Sequence, residues 1–321
     1  MSVLRHMLVL ELQLVLFLLL LSLSVSSKKC LPPHQLRTNS QNALASSSPF
    51  SNFVVVPSAS RPRLQWILRS PQASYEIEIE TFVNNFQSKT KRWRTGQVNS
   101  SNPLAATYSA AAPPLLPNAA VQWRVRVWTT SNTSIPTNWS AYSSFRVGKN
   151  EQDWIGKWIT SSANDEERVN DQAYDENCTT SAFGDHPNFL FRRLFHAGSN
   201  VTRATLHVVG LGYYRVSIDG SLVPGDTFLD PPWTSFDRTV SSAMLDVTSL
   251  FRGHARQHII EVELGNGWWN PLPLKFWGSI DVSQHLPTGK PMFRLDLILE
   301  TSSKNMIVLP WTISVVGLYS L

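Results

Sequence analysis

The 321-residue sequence contains only two cysteines, Cys30 and Cys178, and only 16% of its residues are charged. So few thiols exclude a scaffold held by several disulfides and a metal cluster built from cysteines. Average soluble proteins carry roughly 25% charged residues, whereas 42% of this chain is hydrophobic. The 12 Trp, 15 Phe and 7 Tyr exclude long-range disorder, because disordered chains are poor in aromatic residues.

Long runs of basic residues are also missing, although the formal net charge is +5. The densest group of cations lies at residues 89–94, and the others are spread along the sequence. Nucleic-acid binding needs a clustered basic stripe or a recognisable binding module. We therefore expect no nucleic-acid partner.

Only one segment, residues 12–23, has a long apolar run. Arg5 and His6 precede it, and small residues around Ser26 follow it, which is the pattern of a secretory signal peptide. The run is shorter than the ~20 residues that a membrane span needs. We therefore predict a signal peptide over residues 1–27, secretion to the extracellular space and no other contact with a membrane. An uncleaved signal anchor is the alternative.

Five Asn-x-Ser/Thr triplets agree with export, because this triplet is the acceptor of N-linked glycans. The candidate glycosylation sites are Asn99, Asn132, Asn138, Asn177 and Asn200. In an oxidising compartment Cys30 and Cys178 form a candidate disulfide. One pair of cysteines has no spacing pattern to interpret, so two free thiols remain the alternative.

Alternation of apolar and polar residues indicates β-strands along most of the chain, most clearly at residues 121–128. Residues 28–60 are predicted to form a Ser-rich linker or a first strand. The short strands and turns of residues 61–149 predict a fibronectin type III/immunoglobulin-like sandwich. Residues 150–321 predict a larger, jelly-roll-like antiparallel β-sandwich with an acidic surface insertion at 160–188. The predicted fold class is all-β.

Several motifs follow one another in an informative order. The second region contains LHVVGLGYYRVSIDG (206–220), LDPPWTSFD (229–237) and VELGNGWW (262–269). Upstream lie WRVRVW (123–128) and, at the junction, DWIGKWI (153–159). This series resembles the fibronectin type III-like domain and the N-terminal β-sandwich of α-L-rhamnosidases of glycoside hydrolase family 78.

The resemblance implies a function connected with inverting hydrolysis of terminal α-L-rhamnosides. Enzymes of this family carry their catalytic carboxylates in a following (α/α)6 barrel, and no helical repeat begins before Leu321. We therefore expect a non-catalytic accessory part of a secreted rhamnosidase, either a natural short form or a truncated one. A stand-alone carbohydrate-binding or cell-surface recognition module and a structural interdomain scaffold are the alternatives. The expected partners are rhamnose-containing glycans and the barrel of the parent enzyme.

Two motifs of the second region hold the candidate carbohydrate-binding residues, namely Asn266, Trp268 and Trp269 in one and Asp230 and Trp233 in the other. The neighbouring glycines allow a tight turn or a close backbone approach. An indole ring can stack on the apolar face of a sugar while an amide or a carboxylate binds hydroxyls. Trp268 and Trp269 point in different directions, so one can be exposed while the other packs inward. A structural corner filled by both rings is the alternative.

Two groups of acidic residues invite other interpretations. Glu261 and Glu263 share one face of a predicted strand at nearly the separation that inverting glycosidases use. A flat strand offers no cleft for a sugar, so we predict solvent-facing side chains and no catalytic residue. Asp219, Asp226 and Asp230 could bind calcium, but they match no ordered calcium-loop spacing. We expect three surface carboxylates, no metal site and no cofactor.

Overall fold

A computed structural model describes residues 31–39, 41–42, 54–83, 88–161, 189–198, 200–223, 231–251, 253, 257–269, 275–276, 280–281, 287, 289–302, 306–311 and 316–318. The predicted signal peptide, Cys30, Cys178, Asn177, Asp226, Asp230 and most of the predicted insertion lie outside these residues. Within them the helices are two 3-10 turns, Glu151–Asp153 and Thr248–Phe251, so the all-β prediction is confirmed. No helix in the described part is long and apolar enough to cross a membrane.

The first sandwich is built from two sheets. Its strands are β1 (His34–Thr38), β2 (Gln41–Asn42), β3 (Val54–Pro57), β4 (Arg63–Ile67), β5 (Gln72–Val83), β6 (Ser88–Arg94), β7 (Val98–Asn99), β8 (Ala106–Thr107), β9 (Ala120–Thr129) and β10 (Ser143–Gly148). One sheet has the order β2-β1-β4-β8, and the other has the order β3-β10-β9-β5-β6 with β7 beside β5. The β3–β10 pair is parallel.

The alternation in β9 creates the core of this sandwich. Val121, Trp123 and Val125 are fully buried between the sheets, while the residues between them face outward. Trp66 of β4 contributes from the opposite sheet, and its indole N–H donates to Gln72 Oε1 at 2.9 Å. Each large apolar side chain buried in this way stabilises the fold by roughly 1.5–3 kcal/mol.

The second sandwich has the same two-layer design. Its strands are β11 (Ile159–Thr160), β12 (Phe189–His196), β13 (Val201–Leu211), β14 (Tyr214–Ile218), β15 (Ser221–Leu222), β16 (Ser242–Asp246), β17 (Gln257–Leu264), β18 (Lys275–Phe276), β19 (Ile280–Asp281), β20 (Met292–Thr301), β21 (Met306–Pro310) and β22 (Val316–Leu318). The two main sheets have the orders β11-β20-β13-β16, with β21 beside β20, and β15-β14-β17-β12-β22. Phe191 and Phe293 meet edge-to-face between these sheets, with ring centroids 5.0 Å apart.

A buried ion pair joins the two sandwiches. Lys149, directly after β10, donates to the carboxylate of Asp296 on β20, and their side chains are 3% and 0% exposed. Asp296 also accepts the backbone N–H groups of Ile155 and Gly156, at 3.1 and 2.7 Å. Because the carboxylate is bonded from both the first sandwich and the connecting segment, it holds the two domains in one arrangement.

Arg294 and His207 add to the same interface. The Arg294 guanidinium donates to the carbonyl oxygen of Gly156 at 2.7 Å and lies over the Trp154 ring, 5.4 Å from its centroid. His207 Nε2 lies 2.6 Å from Asn118 Oδ1 of the first sandwich. Burial is the main cause that lowers the pKa of His207, to about 3. The ring is therefore neutral at neutral pH, and Nε2 carries the proton because the amide oxygen can only accept.

Candidate functional site

Two exposed indole rings stack on each other in the loops of the second sandwich. Trp233 lies in the loop between β15 and β16, and Trp268 follows the end of β17. Their ring centroids are 5.8 Å apart, with an interplanar angle of 26°. Trp233 is 59% exposed and Trp268 is 41% exposed. The pair is thus a flat apolar surface in contact with solvent.

A tight backbone crossing places Trp268. The N–H of Gly265 donates to the carbonyl oxygen of Tyr213 at 2.7 Å. Gly212 and Gly267 have φ angles of +106° and +56°, and a Cβ atom on Gly212 would lie 2.4 Å from the Gly265 carbonyl oxygen. Only glycine fits such an approach without displacement. The turn after β17 is therefore built on direct contact with the segment that leads into β14.

Trp269 has a packing role instead. Its indole N–H donates to the Lys290 carbonyl oxygen at 2.9 Å, and its ring meets Phe236 edge-to-face at 5.6 Å. The N–H of Gly289 donates to the Trp269 carbonyl oxygen at 3.0 Å. Trp268 faces solvent while its neighbour anchors the turn to the loop between β15 and β16. The two successive tryptophans therefore face different surroundings.

The other predicted binding residues are less prominent. Asn266 is partly buried at the same turn, and Asp230 lies outside the described residues. Asp219 accepts the N–H of Ile259 at 2.8 Å and contacts His258 Nδ1 at 2.6 Å, so it stabilises the turn after β14. Among the described residues, no group of three or more His, Cys, Asp or Glu side chains is arranged to hold a metal ion.

Glu261 and Glu263 face away from the core, as the alternation in β17 predicts. Arg192 donates to Glu261 at 2.7 Å, and Ser217 donates to the other oxygen of the same carboxylate at 3.1 Å. Arg215 lies 3.5 Å from Glu263. Each carboxylate thus has a cationic partner from a neighbouring strand on the outer surface of the sheet. This is the arrangement of cross-strand ion pairs.

Two protein-family models match the regions that carry these features. Residues 199–309 match the α-L-rhamnosidase N-terminal domain, and residues 54–151 match the Rha78A-like N-terminal immunoglobulin domain. Both matched regions thus resemble N-terminal domains of α-L-rhamnosidases. The Trp233–Trp268 pair lies within the first of these matches.

Curated relatives agree with these two matches. An α-L-rhamnosidase of Formosa agariphila is 26% identical over 241 residues, which are 74% of this chain and 24% of that enzyme. One of Streptomyces avermitilis is 29% identical over 199 residues, which are 57% of this chain and 18% of that enzyme. The chain spans about a quarter of the length of the rhamnosidases that it matches over most of its length.

Solved structures share the fold. The α-L-rhamnosidase from Dictyoglumus thermophilum superposes with a TM-score of 0.63 at 23% identity, over 88% of this chain and 29% of that chain. The enzyme from Aspergillus terreus gives a TM-score of 0.59 at 18% identity, over 87% of this chain and 28% of that chain. The order of the two sandwiches is therefore that of rhamnosidase structures.

The first sandwich also has a surface that we did not predict from the sequence. On the outer face of the β6–β5–β9 sheet, the Arg124 guanidinium lies over the rings of Trp139 and Tyr142, 4.9 and 4.7 Å from their centroids. Arg126 lies over Trp139 and Trp128, at 4.8 and 5.5 Å. The sequence distributes these cations over distant segments, but the strand register brings them together. We predicted that the basic residues are scattered, and that prediction is wrong for this face of the first sandwich.

Four of the predicted glycosylation sites lie among the described residues. Asn99, Asn132, Asn138 and Asn200 are all exposed. Ser140, the third residue of the Asn138 triplet, is hydrogen-bonded to β9, because its hydroxyl accepts the N–H of Val125 at 3.0 Å. The four asparagines are accessible positions for a glycan, and their modification stays a prediction.

Proposed function

We propose that the chain is a non-catalytic accessory region of a secreted α-L-rhamnosidase and that the Trp233–Trp268 pair contacts a rhamnose-containing glycan. The parent reaction is inverting hydrolysis of terminal α-L-rhamnosides. The observation that carries the proposal is the stacked, exposed indole pair in a rhamnosidase N-terminal domain. Asn266, at the same turn as Trp268, is the proposed hydroxyl-binding residue, and Asp230 is a second candidate that lies outside the described residues.

The exposure of two indole rings to water is energetically unfavourable. Each ring leaves a large apolar surface in water, and adjoining exposed apolar surface is typical of interaction sites. A deoxy sugar has an apolar face of C–H groups and a methyl group that can cover such a ring. Because the two rings already contact each other, little side-chain freedom is lost when a sugar binds.

Substitution of Trp268 by Ala is expected to weaken binding of L-rhamnose and rhamnose-containing oligosaccharides at least tenfold. The change removes one ring of the pair and leaves Trp233 without its stacking partner. Isothermal titration calorimetry on the purified chain gives the affinity. Trp158→Ala is the matched control, since this indole is also exposed but lies in the junction between the sandwiches. Its affinity should stay within twofold of wild type.

Three results would contradict the proposal. Equal weakening by both Trp variants would show that the indole pair is not the contact surface. A flat titration of the wild-type chain against the whole sugar panel would leave only the scaffold function. Turnover of an aryl α-L-rhamnoside by the purified chain, abolished by Glu261→Gln, would overturn the non-catalytic part.

Secretion is the second part of the proposal. The apolar N-terminal segment and the exposed asparagines of four acceptor triplets support it. After expression in a eukaryotic secretory host, we expect the protein in the medium without residues 1–27, with a mass that falls on treatment with peptide-N-glycosidase. Recovery only inside the cells, or in the medium with an unchanged mass, would contradict secretion or glycosylation respectively.

A further inference from the structure

Four arginines form a regular array on the outer face of the first sandwich. Arg92 and Arg94 come from β6, and Arg124 and Arg126 come from β9. We call these four residues the arginine face. Because β5 lies between β6 and β9, the two rows of arginines are about 9.6 Å apart, and alternate residues of one strand lie about 6.8 Å apart.

Three glutamates of β5 lie beneath these guanidiniums and are buried, Glu76, Glu78 and Glu80. Arg92 binds Glu80, and Arg126 binds Glu76, in each case through Nε and Nη2. Glu78 accepts from both Arg94 and Arg124 through the same pair of nitrogens. The Nη1 group of each arginine takes no part in these ion pairs. The negative charge lies inside and the positive charge outside, so a molecule that approaches the face meets guanidinium groups.

The aromatic rings hold this array in place. Arg124 and Arg126 each lie over two rings, and Arg94 also lies over Trp139, 5.5 Å from its centroid. Burial raises the pKa of Glu78, but hydrogen bonds from Arg94, Tyr142 and Arg124 outweigh it and lower the pKa below its usual value. The carboxylate thus stays charged and keeps its arginines in position. Donors held in position in this way lose little conformational entropy on binding.

We propose that the arginine face binds a linear anionic polysaccharide through its carboxylate or sulfate groups. Guanidinium matches both groups with paired N–H donors, and the array repeats such donors along one surface. Single-stranded nucleic acid needs free aromatic faces for stacking, whereas the Trp139 ring already carries guanidiniums. This site is on the other sandwich from the indole pair and goes beyond the function proposed above.

The test removes one ion pair without changing the net charge. Arg92→Gln combined with Glu80→Gln deletes an exposed guanidinium together with the buried carboxylate that it binds, so neither member of this pair is left without the other. The control is Arg215→Gln combined with Glu263→Gln, which makes the same change on the outer face of the second sandwich. Binding of the full chain to polygalacturonate, heparin, neutral dextran and a duplex DNA is measured at low salt by biolayer interferometry.

We expect binding to polygalacturonate or heparin and none to dextran. Tighter binding of polygalacturonate would identify carboxylate as the preferred group, and tighter binding of heparin would identify sulfate. The Arg92/Glu80 variant should bind at least fivefold more weakly than wild type, and the Arg215/Glu263 variant should stay within twofold. Thermal unfolding verifies that both variants are folded. Lack of binding to both acidic glycans, equal affinity of the two variants, or equally tight binding of the DNA would overturn the proposal. The Trp268→Ala variant is expected to bind the acidic glycans as tightly as wild type. This result distinguishes the arginine face from the sugar contact at the indole pair.

Discussion

Replacement of Asp296 by Asn is expected to lower the free energy of unfolding by about 3–5 kcal/mol, the range found when one partner of a buried ion pair is removed. Asn has the same shape, so packing is kept and the charge is lost. The ammonium of Lys149 then stays buried without a counter-charge, because its side chain is only 3% exposed. The N–H groups of Ile155 and Gly156 also lose a charged acceptor.

Urea unfolding followed by tryptophan fluorescence measures this loss. Asp237→Asn is the matched control, since Asp237 pairs with Arg238 on the surface, where the two side chains are 54% and 82% exposed. Exposed pairs contribute roughly 0–1 kcal/mol, so this variant should be close to wild type. A loss below about 1 kcal/mol for Asp296→Asn would show that the interface does not depend on the buried pair.

The second large effect is expected for Gly212→Ala, with a loss of at least about 3 kcal/mol. Part of the loss comes from the φ angle of +106°, which costs other residues about 1–3 kcal/mol. The rest comes from the new Cβ atom, which would lie 2.4 Å from the Gly265 carbonyl oxygen. Backbone atoms at that point must move apart. The turn that carries Trp268 would move with them, so sugar binding should fall together with stability.

Gly220→Ala separates the two causes. Gly220 also has a positive φ angle, +75°, but a Cβ atom there meets no other atom within 4 Å. Its expected loss is therefore only about 1 kcal/mol, the conformational part alone. Thermal unfolding of both variants gives the comparison. Similar losses for Gly212→Ala and Gly220→Ala would mean that the close approach to Gly265 does not constrain the turn.

The local pattern of the sequence was enough to predict the strands, because alternation in a half-buried strand depends only on which face is covered. It also predicted different directions for Trp268 and Trp269, and the structure places both in the turn after β17, where they face different surroundings. The stacking of Trp233 on Trp268 could not be predicted, because it depends on how two distant loops meet. Asp296 gave a signal that we did not use, a charged residue inside the apolar strand β20.

The ion pairs of the arginine face also could not be predicted from the sequence alone. The alternating glutamates of β5 and the alternating arginines of β9 suggest paired charged faces on neighbouring strands. Which glutamate meets which arginine depends on the strand register, and a shift by one residue would reverse the faces. The register that places Glu78 opposite both Arg94 and Arg124 is visible only in the folded sheet.

The cations on β6 affect solubility because this strand lies at the edge of the sheet. In the described part of the sheet, β6 is the terminal strand and pairs only with β5. A terminal strand presents backbone groups to which the strand of another molecule can add, which is a route to aggregation. Two copies joined along β6 would bring Lys91, Arg92 and Arg94 of each chain to strand spacing, about 4.8 Å. Repulsion between these like charges would oppose edge-to-edge assembly.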